Sequence, residues 1–369
     1  MSTALKDYFS REYFQALGKQ LKQQVPGVQV NNFVQQCYSP AFESMELKDR
    51  MRHTAQVLGK FLNPHYPSAC QQLIGIIEGF EQSKTKSETI NVAHLFFPEF
   101  ITAYGLKDLP TSLKTMERVT QFISCEFAVR PFLISEEKKM LAQMLKWSKH
   151  PHAGVRRLAS EGSRPRLPWG MKVPVLIENP NLILPILENL RQDPSDSVRR
   201  SVANSLNDIS KDHPELVLEL GRKWSNSSPE TDALIKHGLR TLLKKGHPKA
   251  LKHYELNSNQ VTCNSFRLLT SKIKIGDRVA FEFEIENTST KTQTVRLEYR
   301  LYFLRNNGTH SGKVFKISER QLKPGEKLFI SRKHSFRPIT TMRYYPGKHS
   351  VALVVNGKEY EGDSFELLK

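Results

Sequence analysis

An internal repeat places the strongest constraint on what this chain can fold into. HPHAGVRRLAS at 150–160 aligns with DPSDSVRRSVA at 193–203, with a proline, a valine and two arginines at matching positions. The offset of 43 residues lies inside the window of roughly 40–47 residues that is typical of HEAT-type helical pairs. A looser third copy begins at Ser228-Pro229. Because such pairs cannot bury their apolar faces alone, they stack into a solenoid with a concave binding surface.

Apolar residues recur at helical spacing up to about residue 257. The predicted helices cover 46–62, 69–80, 113–127, 136–149, 196–211, 214–224 and 230–246. Two of the starts, at 212–215 and 228–230, carry a capping residue before a proline and an acid after it. The first predicted domain is therefore an all-α HEAT-like repeat solenoid over residues 1–257.

Alternation with period two takes over after residue 257. The segments 278–287 and 295–305 place β-branched and aromatic residues on one face. Turn pairs lie at Asn307-Gly308, Pro324-Gly325, Pro346-Gly347 and Asn356-Gly357. Roughly seven short strands predict an all-β immunoglobulin-like sandwich over residues 258–369. The Cys…Trp…Cys signature is absent from the sequence, so only the architecture is supported.

Both predicted domains are strongly basic. The chain holds 55 Lys and Arg against 37 Asp and Glu, a net charge of +18 with a pI of about 9.7. Residues 260–369 carry half of that surplus. Such a charge favours a polyanionic partner, which is DNA, RNA or an acidic membrane surface; a charge that only aids solubility is the alternative.

Several classes of protein are disfavoured by the sequence. No apolar run approaches the ~18 residues of a membrane span, and the first residues lack a secretory signal pattern. The four cysteines form no C-x-x-C pair, which predicts reduced thiols in a cytosolic protein without disulfides or zinc. P-loop, dinucleotide-binding, zinc-protease and nucleophile-elbow motifs are missing, and the histidines lack ligand spacing. We therefore expect no metal and no cofactor.

The segment SEGSRPRLPWG at 160–170 departs from the repeat. Gly162, Pro165, Pro168 and Gly170 end a helix that a regular repeat would continue. Interrupting a repeat leaves polar backbone groups that need partners, so the departure indicates a function.

The same segment places a lone acid among arginines. Arg164, Arg166 and Trp169 stand on the predicted loop, where an exposed tryptophan can stack on a base or hold a cation. A tryptophan that caps the solenoid core is the alternative. Glu161 would be repelled by DNA phosphates unless it holds a positive group or activates a water.

Two further acids occupy similar places in neighbouring helical units. Glu126 ends the run FISCEF and Asp208 ends SVANSLND, each in the C-terminal part of a predicted helix, where an acid is mildly unfavourable. Capping or solvation explains any one of them alone. Three acids at adjacent repeats, together with Trp169, predict a functional cluster.

Eleven basic residues are candidate DNA contacts. For the arginines at 199 and 200, salt bridges to acids of the next repeat are an equally good explanation. They are Arg156, Arg164, Arg166, Arg199, Arg200, Lys236, Arg240, Lys244, Arg332, Lys333 and Arg337. Lys236, Arg240 and Lys244 form a stripe on the predicted helix 230–246. Arg332, Lys333 and Arg337 lie close in sequence to His334 and Arg343, around one predicted turn.

Three segments resemble the AlkC branch of the AlkC/AlkD DNA alkylation repair glycosylases. They are HPHAGVRRLASEGSRPRLPWG, DPSDSVRRSVANSLNDISKDHPELV and HGLRTLLKKGHPKAL. The resemblance runs from LKDYFSREYF near the N-terminus to about residue 255. The basic β-sandwich behind it is similar to the form of AlkC that carries a C-terminal immunoglobulin-like domain. The ASEGSRPRLPWG block is specific, whereas the HEAT pattern by itself is not.

The resemblance implies a monofunctional glycosylase that removes cationic N-alkylated bases, chiefly 3-methyladenine and 3-methylcytosine. It implies that the concave face grips duplex DNA and that the base is not turned into a pocket. By position, the family's active-site cluster falls on Glu126, Arg157, Glu161, Trp169 and Asp208. We expect a monomer in the bacterial cytosol.

A non-catalytic HEAT scaffold that binds nucleic acid or protein is the alternative from another class. The interrupted repeat and its acids argue against it, because a scaffold has no use for them. A nuclease would need a cluster of metal ligands that the sequence does not indicate.

Overall fold

The computed structural model describes residues 4–83, 92–339 and 342–369. Two compact units divide the chain: Met1–His213 with Trp224–Gly238, and Pro214–Lys223 with Leu239–Lys369. Helices occupy the chain as far as His253 and strands follow from Val261, which confirms the predicted fold class. The predicted boundary between residues 257 and 258 stays a prediction, because two helical segments group with the strands.

Sixteen α-helices lie in the described residues. They are α1 Arg11–Gln24, α2 Val30–Cys37, α3 Leu47–Phe61, α4 Tyr66–Gln82, α5 Phe96–Gly105, α6 Leu109–Val119, α7 Val129–Ser135, α8 Glu137–Trp147, α9 Ala153–Gly162, α10 Pro174–Glu178, α11 Leu184–Leu190, α12 Asp196–Ile209, α13 Pro214–Trp224, α14 Pro229–Gly238, α15 Arg240–Lys244 and α16 Pro248–His253. Side chains cap some of the starts: the Ser10 hydroxyl accepts from the Tyr13 N–H, and Asp108 accepts from the Thr111 N–H.

The two copies of the repeat form equivalent helices, α9 and α12, which pack against each other. Val155 of α9 and Val198 of α12, at matching repeat positions, are both fully buried. Small residues bring the helices close, since the Ser201 hydroxyl donates to the Ser160 hydroxyl at 3.0 Å. This close packing sets the ends of α9 and α12 beside each other, where two of the predicted acids lie.

The predicted helix 113–127 ends earlier than expected. α6 stops at Val119, and the chain folds back because the Thr120 hydroxyl accepts a hydrogen bond from the Cys125 N–H at 3.3 Å. Cys125 is fully buried in this turn. Glu126 therefore lies in the segment between α6 and α7, and the expectation that it ends a helix is wrong.

The predicted helix 230–246 is also interrupted. α14 ends at Gly238, where a Cβ would lie 2.9 Å from Leu206 of α12, and Leu239 leaves helical geometry with a ψ of 0°. Lys236 thus belongs to the first compact unit, while Arg240 and Lys244 belong to the second. The three residues do not form the continuous helical stripe that their spacing predicted.

Two sheets form the β-structure. The strands are β1 Val261–Leu268, β2 Lys272–Lys274, β3 Arg278–Asn287, β4 Gln293–Leu304, β5 His310–Leu322, β6 Lys327–Ser335, β7 Gly347–Val355, β8 Lys358–Glu359 and β9 Asp363–Leu368. One sheet has the order β1-β3-β6 and the other β2-β9-β7-β4-β5, with β8 paired to β7. The apolar face of β3 packs with that of β4 and β7 in one core, as the alternation predicted.

The predicted hairpin turns use residues that tolerate left-handed backbone. Asn356 and Gly357 have φ values of 47° and 81°, and Gly308 and Gly325 are also left-handed. Asn356 is buried, and its amide donates to the carbonyl oxygens of Thr294 and Asn257 at 3.1 Å.

Candidate active site

A buried guanidinium joins two carboxylates from neighbouring helices. Arg164 Nη1 donates to Glu161 Oε1 at 2.6 Å, and Arg164 Nε donates to Asp208 Oδ2 at 2.8 Å. Glu161 lies in the last turn of α9 and Asp208 in the last turn of α12. Both are nearly inaccessible, at 5% and 1% exposed. Because helix C-termini disfavour anions, the guanidinium is what makes their burial tolerable.

Arg157, on α9, connects the third carboxylate to the same cluster. Its Nη1 donates to Glu126 Oε2 at 3.0 Å and to the Ser124 hydroxyl at 3.3 Å, and its Nη2 lies 3.9 Å from Glu161 Oε1. The Ser124 hydroxyl donates to the same Glu126 oxygen at 2.9 Å. Glu126, Glu161 and Asp208, distant in sequence, thus meet in one cluster, in which the 3.9 Å ion pair between Arg157 and Glu161 links Glu126 to the other two acids.

Arg164 differs from the sequence-based expectation. Its residue exposure is only 6%. Burial acts to lower the pKa of Arg164, but the carboxylates of Glu161 and Asp208 outweigh burial and raise the pKa above its usual value. The prediction that Arg164 contacts DNA is therefore corrected, because its donors are occupied by two acids.

A second buried guanidinium, Arg130 on α7, supports the loop after α9. Its Nη1 donates to the carbonyl oxygens of Gly162 and Arg164, both at 2.9 Å, and its Nε donates to that of Met171. Burial, followed by the positive charge of Arg164, lowers the pKa of Arg130 to about 10, although the three carboxylates oppose this. Sequence reasoning missed Arg130; an arginine within the apolar run FAVRPFLI was the available signal.

Lys211 is the other participant that sequence reasoning missed. Its Nζ lies 3.0 Å from Asp208 Oδ1, so both oxygens of Asp208 have a cationic partner. The Lys211 side chain is 40% exposed, in contrast to the buried Arg164. Its position three residues after Asp208 was the signal in the sequence.

Trp169 stands in solvent on the loop after α9. Its residue exposure is 65%, so the alternative that it caps the core is wrong. Its φ is 63°, a left-handed value that is rare for a bulky residue and costs about 1–3 kcal/mol. The Lys48 ammonium group donates to the Trp169 carbonyl oxygen and helps to hold this conformation.

A cleft of about 200 Å³ lies beside Trp169. Its lining combines the apolar side chains of Phe127 and Met171 with the cations Lys48 and Arg52. The Lys48 Nζ sits 5.7 Å from the centre of the Phe127 ring. Glu99 also lines the cleft, and its Oε1 lies 3.5 Å from Arg52 Nε, so this cation already has an acidic partner.

The first arginine of each Val-Arg-Arg step has a structural role. Arg156 Nη1 donates to the carbonyl oxygens of His150 and Pro151, just before α9, and its Nε donates to Asp193 Oδ2 at 2.5 Å. Arg199 Nη1 makes the matching bonds just before α12, at 2.7 and 3.0 Å. Arg156 thus bridges to Asp193 of the next repeat, whereas the bonds of Arg199 stay within its own repeat and do not support the bridging alternative there. The phosphate contacts of both arginines stay predictions.

The second arginine of each step differs between the repeats. Arg157 enters the acid cluster, whereas Arg200 is exposed and pairs with Asp196 at 3.0 Å. Arg166 forms a bidentate pair with Asp212 at 2.9 and 3.0 Å on the surface. Exposed pairs of this kind exchange readily with other anions, so Arg200 and Arg166 stay candidates for DNA contact.

In the second unit, Arg332, Lys333 and Arg337 are all exposed. The first two lie on β6, an edge strand of the smaller sheet, and Arg337 follows that strand. Their contact with DNA stays a prediction.

Among the described residues, no three side chains of the His, Cys, Asp and Glu types are grouped so that they can hold a metal ion. In the same part of the chain, no helix combines the length and the apolar character that crossing a bilayer requires.

Comparisons with known proteins agree with this arrangement. The model of a family described as "DNA alkylation repair enzyme" matches residues 110–221, and that of the "Uncharacterised protein YhaZ, C-terminal Ig-like domain" matches 262–369. The chain is 38% identical to the "Uncharacterized protein YhaZ" of Bacillus subtilis (strain 168) over 98% of its own length and 99% of the relative's.

A solved structure extends the similarity to the whole fold. The Pseudomonas fluorescens alkylpurine DNA glycosylase AlkC, bound to DNA with an abasic site analog, covers all of both chains with a TM-score of 0.92 and 32% identity. The match of the helical repeats to the DNA alkylation repair family, the immunoglobulin-like domain behind them and the similarity to AlkC place the chain among DNA alkylation repair enzymes of the glycosylase class. The chain belongs to the AlkC branch of the AlkC/AlkD DNA alkylation repair glycosylases, which confirms the resemblance seen in its sequence.

Proposed function

We propose that this protein is a monofunctional DNA glycosylase for cationic alkylated bases, chiefly 3-methyladenine and 3-methylcytosine, in duplex DNA. The observation that carries the proposal is the meeting of Glu126, Glu161 and Asp208 in one cluster of hydrogen bonds and ion pairs around two arginines. Acids in a DNA-facing basic protein have a purpose when the bound base is itself a cation.

The proposed reaction needs no general acid. Methylation at a ring nitrogen makes the base positive, and the electron pair of the broken glycosidic bond returns to the base and neutralises it. C1′ passes through an oxocarbenium-like state and is attacked by water. The new C1′–O bond gives an abasic sugar, and the proton of the water passes to a carboxylate or to solvent.

We assign roles within the cluster from the observed contacts. Glu161 and Asp208 are the proposed catalytic residues, which stabilise the positive charge near C1′ and place the water. Glu126 supports them, and Arg157 positions Glu126 through the 3.0 Å bond. Trp169, exposed and held in an unusual backbone conformation, contacts the sugar or the cationic base edge.

The proposal includes a base that stays in the duplex instead of entering a pocket, as in the family. DNA is the partner that the net charge of +18 and the DNA-bound AlkC relative support. Arg166, Arg200, Lys236, Arg240, Lys244, Arg332, Lys333 and Arg337 are the proposed phosphate contacts. If the second unit binds DNA, changing Arg332, Lys333 and Arg337 together to serine is expected to lower the affinity for duplex DNA and to reduce the salt dependence of that affinity.

The class of reaction is tested by its products. Incubation with methylated duplex DNA in EDTA is expected to release free 3-methyladenine and leave the strands intact. No release of the base in EDTA would reject the proposal. Strands that are cut only when Mg²⁺ replaces EDTA would then indicate a nuclease, and neither product under either condition would indicate a non-catalytic scaffold.

A further inference from the structure

The acid cluster carries a charge imbalance that the proposed function must resolve. Three carboxylates are paired with three cations, namely the guanidinium groups of Arg157 and Arg164 and the ammonium group of Lys211. Arg130 lies fully buried under the loop and adds a fourth positive charge. A cationic base that approaches this arrangement gains no net attraction. When one cation leaves, three carboxylates face three cations, and the carboxylate oxygen that it vacates is free to face a positive base.

The contacts indicate which cation can leave. Arg164 bonds two carboxylates and is buried, and Arg130 bonds three carbonyl oxygens. Arg157 is 31% exposed and is shared between Glu126 and Ser124. The Lys211 side chain, at 40%, is the most exposed of the four, and a single Nζ–Oδ1 contact attaches it to Asp208. Lysine is also a flexible point charge without the fixed fork of arginine.

We propose that Lys211 is an exchangeable counterion of Asp208, which it leaves for a DNA phosphate when duplex binds. This inference rests on the proposed function. In the DNA-free protein, Lys211 compensates a carboxylate that is almost fully buried and would otherwise be costly. In the complex, the ammonium group pairs with a phosphate, and Asp208 Oδ1 faces the cationic base.

The exchange links binding to charge selection. A lysine that neutralises a phosphate also releases a condensed counterion, so duplex DNA offers Lys211 a favourable alternative to Asp208. Asp208 keeps its Arg164 partner throughout, and that bond holds the carboxylate in place. The cluster loses its excess positive charge only when DNA is present, and Lys211 acts as a positioning and specificity residue.

Three variants separate this role from a structural one. Lys211→Met removes the charge, Lys211→Arg keeps it, and Lys146→Met removes an exposed lysine from α8 as the matched control. Binding to a duplex with an abasic-site analogue is measured between 50 and 200 mM salt. Excision of 3-methyladenine is measured in single turnover at saturating enzyme. Thermal melting checks that each variant folds.

Lys211→Met is expected to change binding but not the saturated rate. The slope of log affinity against log salt falls by about 0.9, the loss of one phosphate contact. The saturated excision rate stays within about twofold of wild type, because Lys211 has already left Asp208 in the bound complex. Lys211→Arg restores the slope and excises more slowly than Lys211→Met, since the guanidinium fork binds the carboxylate more firmly. Lys146→Met leaves the rate unchanged.

Two results would overturn the exchange: an unchanged salt slope, or a saturated excision rate in Lys211→Met that differs from wild type by more than about twofold, which would mean that Lys211 still acts on Asp208 in the complex. The binding measurement does not depend on catalysis. The glycosylase proposal and the Lys211 exchange can therefore be rejected independently. A wild-type protein that releases no methylated base rejects the glycosylase proposal even if the slope changes. If the wild-type protein is active but Lys211→Met has the wild-type slope of log affinity against log salt, only the exchange is rejected.

Discussion

Arg164 Nε donates to Asp208 Oδ2 at 2.8 Å, and this bond joins the end of one repeat helix to the end of the next across 44 residues of sequence. The same guanidinium holds Glu161 at 2.6 Å. A single buried cation therefore fixes the separation and orientation of the two acids on which the proposed chemistry depends.

Replacing Arg164 by methionine is expected to lower the free energy of unfolding by about 3–5 kcal/mol. The reason is that two buried carboxylates lose their shared partner. Urea unfolding at neutral pH measures the change. Arg200→Met, at an exposed arginine of α12, serves as the control and is expected to change stability by less than about 0.5 kcal/mol. A loss below about 1 kcal/mol in Arg164→Met would show that water, not Arg164, compensates the acids.

Arg157 and Glu126 are expected to act on catalysis as one unit. Arg157→Met and Glu126→Gln each lower single-turnover excision about 10-fold or more, because either change frees the other member of a 3.0 Å pair. The double variant is expected to be little worse than either single one, with a coupling of at least about 1 kcal/mol. Additive losses would mean that the two side chains contribute independently.

Trp169 provides an optical signal for DNA binding. Of the three tryptophans, Trp147 and Trp224 are buried, so Trp169 accounts for the fluorescence that acrylamide can reach. Binding of a duplex with an abasic-site analogue is expected to quench this emission and to protect it from acrylamide. Trp169→Phe should abolish both effects while the buried emission persists. Unprotected emission in the complex would separate Trp169 from the DNA interface.

His94 is expected to make stability depend on pH. Burial lowers its pKa to about 4, among the rings of Phe80 and Phe122, against an unfolded value of 6.5. The unfolded chain thus binds the proton first, and stability that is complete above pH 6.5 is lost as the pH falls towards 4. Between pH 7 and pH 5 the loss is up to about 2 kcal/mol.

Urea unfolding of His94→Gln at both pH values isolates this contribution. The variant is expected to lose less stability than wild type on going from pH 7 to pH 5, whatever its stability at pH 7. An equal loss in the two proteins would assign the acid sensitivity to other groups, among them His334, whose pKa burial also lowers to about 4.

The sequence predicted the helices and strands best where local patterns decide the structure. The 43-residue repeat became the equivalent helices α9 and α12, and the turn at Asn356-Gly357 took the left-handed backbone that its residues favour. The predicted helices failed at Thr120 and Leu239. The Thr120–Cys125 hydrogen bond after the first helix and the close approach of Gly238 to α12 at the end of the second are features that periodicity does not show.

For the candidate site, residue types identified the acids but not their partners. Glu126, Glu161 and Asp208 do lie together, and their catalytic roles stay a prediction. The pairing of Arg164 with two acids, the support from Arg130 and the contact of Lys211 depend on how the helices pack. Periodicity cannot show which arginine of a basic segment points inward, because that choice is made by tertiary contacts.

The account depends on the negative charge of Glu161 and Asp208, and isosteric amides test it most directly. Single-turnover release of 3-methyladenine from one duplex is compared for wild type, Glu161→Gln, Asp208→Asn and the control Asp196→Asn, an exposed acid of α12. We predict losses of about 100-fold or more for the two buried positions and less than about threefold for the control. Rates close to wild type for both Glu161→Gln and Asp208→Asn would contradict the account.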